Sequence, residues 1–270
     1  HRSEKKIIKF IKNFSKKRKI IIIDNSNDLN LKKKLQNYTN IKLFFMPNKG
    51  YGAAINFARQ KIDTRFFFVF SPDIIGVDEN FINKFDEQIN TNIKFGAMGP
   101  RFKNVKEKSH KQSDVNKKLG EIYSISGSAI LLDKETFDHI GAFDENFFLF
   151  FEEFDLCRRL NNNKLIFSSN KLIVNHLGFK GSFAFDKKYE LEAIKLRNWH
   201  YLWSQFYFNK KHDGYFLAYW KGFFKIIPFF LKFIYFTFAN NALEKNKYKY
   251  RFLGLLNSML LKKSKFRIDF

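Results

Sequence analysis

Apolar residues recur along this chain in two periods, and the switches between them outline its elements. Ile7, Ile8, Phe10, Ile11 and Phe14 stand among lysines at helical spacing and predict an amphipathic helix. Ile20 to Ile23 is an uninterrupted β-branched run, the pattern of a strand buried on both faces of a parallel sheet. Ile41 to Met46, closed by Pro47, and Arg65 to Phe70 predict two further strands, and Phe95 to Pro100 another. Ile125 to Leu132 is the next apolar strand. It leads into a short helix that Asp133 caps and Gly141 ends. A second helix starts near Glu152, and two short strands, 164–167 and 172–174, follow it.

At about 100° per residue, the helix from Glu152 places Phe154, Leu156, Cys157 and Leu160 on one side and Glu152, Asp155, Arg158 and Arg159 on the other. Glu153 is the exception, since it projects onto the middle of the apolar face in the first turn. Burial there raises a carboxyl pKa, whereas the helix N-terminus favours the ionised form by roughly 0.3–1 kcal/mol. Those opposing pushes suit a general base poised near neutral pH. A glutamate that caps free backbone N–H groups fits the helix equally well.

Polar residues concentrate where the strands end. Asp24 follows the first apolar run directly, and ligands of open α/β sheets bind outside the carboxyl ends of strands. The Asp-Asn-Ser context equally suits a turn carboxylate that bonds its own backbone. From Asn48 to Asn56 two glycines and two alanines leave little bulk, so a ligand can approach the backbone. The segment has neither the lysine and hydroxyl of a phosphate-binding P-loop nor the dinucleotide glycine spacing. Asp73, after Ser71 and Pro72 at the end of a strand, suits a cap for the next turn. His176 follows the last strand, where a hydrogen-bonded structural histidine is the ordinary alternative to a ligand. Residues 101–121 are polar without an apolar period and predict a mobile loop of the kind that covers a binding site.

Composition changes this picture in two places. With 49 Lys and Arg against 26 Asp and Glu, the net charge of +23 invites a nucleic-acid or anionic-membrane partner. The abundance of Lys, Asn, Ile and Phe is also what an AT-rich genome produces without any partner. Acidic residues at the strand ends would repel phosphates, which argues against nucleic acid. The single cysteine, Cys157, excludes an intrachain disulfide and a cysteine metal cluster, as in a reducing cytoplasmic setting. The second place is Tyr215 to Ala239, dense in aromatic and aliphatic residues, in which Lys221, Lys225 and Lys232 share one face and Pro228 predicts a kink. That is the pattern of a helix lying in a membrane interface. Lys245, Lys247, Lys249, Arg251, Lys262, Lys263, Lys265 and Arg267 add a basic cluster after it. A helical pair with its lysines outside is the plainer alternative.

Three runs carry a specific likeness: Ser126-Gly127-Ser128, Ile140 to Phe148, and Phe151-Glu152-Glu153-Phe154-Asp155-Leu156-Cys157-Arg158-Arg159. Together they resemble inverting glycosyltransferase family 2, particularly its rhamnosyltransferase-like members, over roughly residues 20–185. The resemblance implies a GT-A fold, a Rossmann-like and mostly parallel sheet flanked by helices, over residues 1–186, with residues 187–270 as a helical, basic-aromatic, membrane-associated segment. It implies Glu153 as catalytic base, Asp24 as acceptor of a uracil or thymine N–H, and Asn48, Gly50, Gly52 and Asn56 as the wall of the nucleotide-sugar pocket. It adds Ser126, Gly127 and Asp73 to the donor site, Glu152 and Asp155 as acceptor-side or structural acids, and Asp73 with His176 as ligands of Mg2+ or Mn2+. A Gly181-Ser182 pair near the diphosphate belongs to the same pattern. Members begin with a strand that this chain lacks, so the expectation is an N-terminally truncated catalytic domain.

The implied reaction is inverting transfer of a sugar, rhamnose in the likeness, from a nucleotide-diphosphate sugar to a hydroxyl of a glycan or lipid-linked acceptor in cell-envelope synthesis. The expected place is the inner face of the cytoplasmic membrane, with an anionic lipid surface and no nucleic acid as partner. An inactive GT-A-like scaffold bound to the membrane is the rival expectation.

Overall fold

The computed structural model describes residues 4–14, 17–89, 94–103, 119–121, 124–161, 166–176 and 189–268. By packing, the chain divides into two compact units, one of His1–Asp144 with Glu153–Ser182 and one of Glu145–Glu152 with Phe183–Phe270. The expected boundary at residue 186, Gly181-Ser182 and most of the expected acceptor loop lie outside the described residues.

In the first unit, α1 (Glu4–Ile11) precedes β1 (Ile20–Asp24), α2 (Leu29–Leu35), β2 (Ile41–Phe45), α3 (Tyr51–Arg59), β3 (Phe66–Phe70), β4 (Ile74–Ile75) and α4 (Glu79–Ile89). Then come β5 (Ala97–Phe102), β6 (Leu119–Glu121), β7 (Ala129–Asp133), α5 (Lys134–His139), α6 (Glu152–Asn161) and β8 (Ile166–His176). The α/β architecture of a sheet flanked by helices is as expected. The pairing is mixed, however, not mostly parallel. β1 and β2 form a parallel pair, while the larger sheet runs β3-β7-β5-β8-β4 with β6 also on β8. Within it β5 and β8 are parallel, and β7 runs antiparallel to both β3 and β5. A continuous apolar run reports burial on both faces but not chain direction, which is why the expectation failed on this point. The two short strands expected at 164–167 and 172–174 are one strand, β8, whose register against β5 shifts between Pro100 and Arg101.

The interior is mostly aliphatic and phenylalanine. One cluster joins Ile55, Leu132, Phe137, Phe143, Leu156 and Leu160, fixing α3, α5 and α6 on one side of the sheet. A second joins Phe81 and Phe85 of α4 to Met98, Leu131 and Val174. The amphipathic α1 spans both sheets, since Ile7, Ile8 and Ile11 pack with β1, β2 and α2 while Phe10 stacks near Phe70 at 5.7 Å.

The second unit is a bundle of α7 (Glu190–Asp213), α8 (Tyr215–Phe238) and α9 (Ala242–Met259), joined by Gly214 at φ 89° and by an Asn241 cap that accepts from Glu244 N–H. α8 is one helix through Pro228. A Cβ on Gly254 would lie 2.2 Å from the Trp199 carbonyl oxygen, so a glycine is needed for α7 and α9 to approach. Residues 145–152 pack here as well. The Phe147 ring lies 4.8 Å from that of Tyr207, and Ser204 Oγ donates to the Leu149 carbonyl at 2.8 Å.

Candidate active site

The polar strand ends converge through the 126–128 turn. Ser71, just past β3, donates its N–H to the Ser128 carbonyl at 2.8 Å. The Tyr51 hydroxyl, on the first turn of α3, donates to the Gly127 carbonyl. A Cβ on Gly127 would sit 3.2 Å from that tyrosine ring, which explains the glycine. Ile125 donates its N–H to Cys157 Sγ of α6 at 3.3 Å. One turn therefore ties together the end of β3, the start of α3 and the buried face of α6. The neighbouring loops are joined in turn, because Asn25 Nδ2 donates to Asn48 Oδ1 at 3.2 Å and Gly50 N–H donates to the same oxygen at 3.3 Å. Gly50 has φ 105°, a conformation that an L side chain rarely adopts.

Asp24 is buried at the end of β1. Its Oδ1 accepts from Ser26 N–H at 2.9 Å and from the Ser26 hydroxyl, and its Oδ2 accepts from Asp28 N–H at 2.6 Å. The turn geometry foreseen as the alternative is thus present; Oδ1 has both lone pairs engaged, while Oδ2, with one donor among the described residues, keeps a lone pair for another. Asp73 is buried too, and its Oδ1 accepts from the Ser71 hydroxyl. Serine at this position thereby holds the carboxylate. Ile74, the next residue, stands opposite His176 in the β4–β8 ladder, so the backbone brings the two expected metal positions to one sheet end. Among the described residues no group of three His, Cys, Asp or Glu side chains could hold a metal.

Glu153 lies on the inner face of α6 with Leu156, Cys157 and Leu160, at helical spacings of three, four and seven. Its Oε2 is buried without a hydrogen-bond partner among the described residues. Burial raises its pKa above the ordinary value, opposed by an interaction with its own backbone N–H. Cys157, one turn on, is pushed up to about 12, mainly by burial and further by the nearby Glu153 charge. Just before α6, Phe150 and Phe151 have φ of 68° and 69°. Left-handed backbone at bulky residues costs about 1–2 kcal/mol each. Within the second unit both rings pack near Tyr201, at 5.7 and 5.5 Å, which holds this strained turn.

The helical projection needs three corrections. Phe154 is exposed, and Asp155 is fully buried. Arg159 accounts for Asp155, because its Nε and Nη2 reach Asp155 Oδ2 at 3.0 and 2.8 Å. The same guanidinium donates to the Ile140 and Ala142 carbonyls, each at 2.6 Å. Asp155 is thus an anchor for the 140–142 turn. Glu152 is also buried. Asn56 forms a reciprocal pair with the Phe143 backbone, donating at 2.9 Å and accepting at 3.1 Å, and Gly52 leaves room for the Phe143 side chain. Sequence reasoning missed Tyr51, Phe143 and Arg159 as the residues that fasten the site. The one available signal was that Phe143 and Arg159 fall inside the runs that carry the likeness and Tyr51 inside the glycine-rich 48–56 segment.

Among solved structures similar to this chain is the mannosyltransferase PcManGT from Pyrobaculum calidifontis in complex with GDP-Man and Mn2+, with a TM-score of 0.61, 9% identity, and coverage of 97% of this chain and 86% of that one. TarS 1-349 of S. aureus in complex with UDP-GlcNAc gives 0.55 and 14%, covering 99% and 91%. GalNAc-T7 with UDP, GalNAc and Mn2+ gives 0.52 and 13%, covering 72% of this chain, which spans about half (48%) of that protein. No family model and no curated protein matches the sequence. At these identities the likeness is one of fold, and the chain has the GT-A glycosyltransferase fold.

Proposed function

We propose that this chain transfers a sugar from a nucleotide-diphosphate donor to an acceptor hydroxyl with inversion, as a rhamnosyltransferase-like member of family 2. The observation that carries the reading is the buried Oε2 of Glu153, unpartnered among the described residues, one helical turn from Cys157, which accepts from the turn that gathers the strand ends. In a GT-A fold the donor lies across those ends, with Asp24 at the base and the 48–52 loop and the 126–127 turn along the nucleotide. Asn56 contributes indirectly, by fixing α3 against Phe143.

Glu153 takes the acceptor proton on Oε2 as the hydroxyl oxygen bonds to the anomeric carbon on the face opposite the diphosphate. The bond from that carbon to the phosphate oxygen breaks, and its electron pair leaves with the nucleoside diphosphate. The raised basicity of Glu153 favours this transfer. A bound divalent cation would neutralise charge developing on the leaving diphosphate. Asp73, steadied by Ser71, fits such an ion, since Mg2+ or Mn2+ needs one or two protein carboxylates beside phosphate and water oxygens. His176 would be a second protein ligand. A glycan or lipid-linked acceptor of cell-envelope synthesis rests on the sequence resemblance.

The test is binding and turnover with a panel of dTDP-, UDP- and GDP-sugars, with and without Mn2+, for the parent chain and Glu153→Gln. Metal-dependent binding that survives in Glu153→Gln while turnover falls about 100-fold to 10,000-fold supports the reading and identifies the donor. Binding of no donor by either protein would favour an inactive scaffold on the same fold.

A further inference from the structure

α8 meets the bundle through its lysines and through Ile226, Phe229 and Phe236, and leaves a second, apolar stripe facing away from it. Lys221 Nζ reaches Asp213 at 3.2 Å, Lys225 Nζ donates to Gln205 Oε1 at 2.7 Å, and Lys232 Nζ lies 5.1 Å from the centre of the Tyr248 ring. The helix buries Ala218 and Gly222, small residues that let it seat closely. A Cβ on Gly222 would stand 3.2 Å from Met259 Sδ. Phe216, Trp220, Phe224, Leu231, Tyr235 and Phe238 are exposed, Phe216 by 82% and Phe238 by 86%. At about 100° per residue these six fall within a sector of roughly 120°, along a helix about 36 Å long. None of them is charged, and a patch of this size marks an interaction surface.

Charge selects the partner. From Gly214 to Phe270 the chain has eleven lysines and arginines against two acids, Glu244 and Asp269. A second copy meeting this face would bring like charge to like charge, whereas an anionic lipid surface offers both headgroup charge and an apolar layer. We infer that α8 lies flat in the surface of an anionic membrane, its aromatic stripe among the acyl-chain ends and its lysines level with the headgroups. Among the described residues no helix is long and apolar enough to cross a membrane. This inference stands apart from the sugar-transfer reading, since it uses the helical bundle alone.

The experiment is co-sedimentation of the full chain with vesicles of phosphatidylglycerol and phosphatidylcholine, or of phosphatidylcholine alone, combined with tryptophan fluorescence. Trp220 is 55% exposed while Trp199 and Trp203 are 5% and 4% exposed, so a blue shift on binding reports α8. Expected are binding to the anionic vesicles, weakening in high salt, a blue shift, and quenching by bromolipids. The variant Phe216→Ser/Trp220→Ser/Phe224→Ser, with unchanged helical circular dichroism, should partition roughly tenfold or more weakly per ring removed. Equal partitioning of this variant, absence of binding to anionic vesicles, or a lipid-free dimer that shields Trp220 would each overturn the inference.

Discussion

Replacing Glu153 by glutamine separates the two roles that the start of α6 allows, because they predict stability changes of opposite sign. If the carboxylate capped the helix, its loss would cost about 0.5–2 kcal/mol. The structure instead leaves Oε2 buried and unpartnered, with burial raising the pKa. A carboxyl whose folded pKa is raised binds its proton more tightly in the folded state, so stability is full below the ordinary pKa of 4.5 and is lost as pH rises through the folded value. The amide carries no charge and escapes that loss. Glu153→Gln should therefore be more stable than the parent near pH 7.5 by about 1–3 kcal/mol, the desolvation cost of one buried polar group. Each kcal/mol corresponds to about 2–4 °C in Tm for a domain of this size. The gap should close near pH 4, where the parent carboxyl is protonated folded or unfolded. Thermal melts of both proteins across this range are the assay, paired with the pH dependence of turnover, which in the parent should fall on the acid side at a pKa above that of an ordinary glutamate. A variant less stable at every pH would refute the burial reasoning and restore the capping role.

Arg159→Ala should destabilise the chain by about 3–5 kcal/mol, because it removes the guanidinium that neutralises the fully buried Asp155; denaturant melts measure this, and Arg159→Ala/Asp155→Ala should recover part of the loss. Gly52→Ala puts a methyl 2.8 Å from Phe143 Cβ and should cost about 1–3 kcal/mol, with donor affinity weakened as the 48–52 loop shifts. His200 is buried, and its Nε2–H donates to the Phe266 carbonyl at 2.9 Å with the ring neutral. Burial holds its pKa down to about 3. The unfolded chain binds that proton first, so stability should fall as pH drops below 6.5, by up to about 1.4 kcal/mol per pH unit, and the slope should vanish in His200→Gln.

The local sequence contained the Asp133 cap and the place of Glu153 on the inner face of α6. Burial periodicity and capping are set by residues within a turn of one another, so Glu153 could be placed beside Leu156, Cys157 and Leu160 without coordinates. The turn alternative for Asp24 was legible for the same reason, since its partners Ser26 and Asp28 lie two and four residues away. Other features have no local signature. Asn56 meets Phe143 across 87 residues, and Tyr51 meets Gly127 across 76, so neither pairing could be read from spacing. Asp155 looked solvent-facing by projection, whereas in the fold it is buried beside Arg159, which also reaches across to the 140–142 turn. The antiparallel course of β7 was equally hidden, because an apolar run is the same read in either direction. α8 shows the division most clearly. Its sequence fixed a lysine face and an aromatic face, but which of them meets the bundle depended on small residues at Ala218 and Gly222 and on acceptors that α7 and α9 supply.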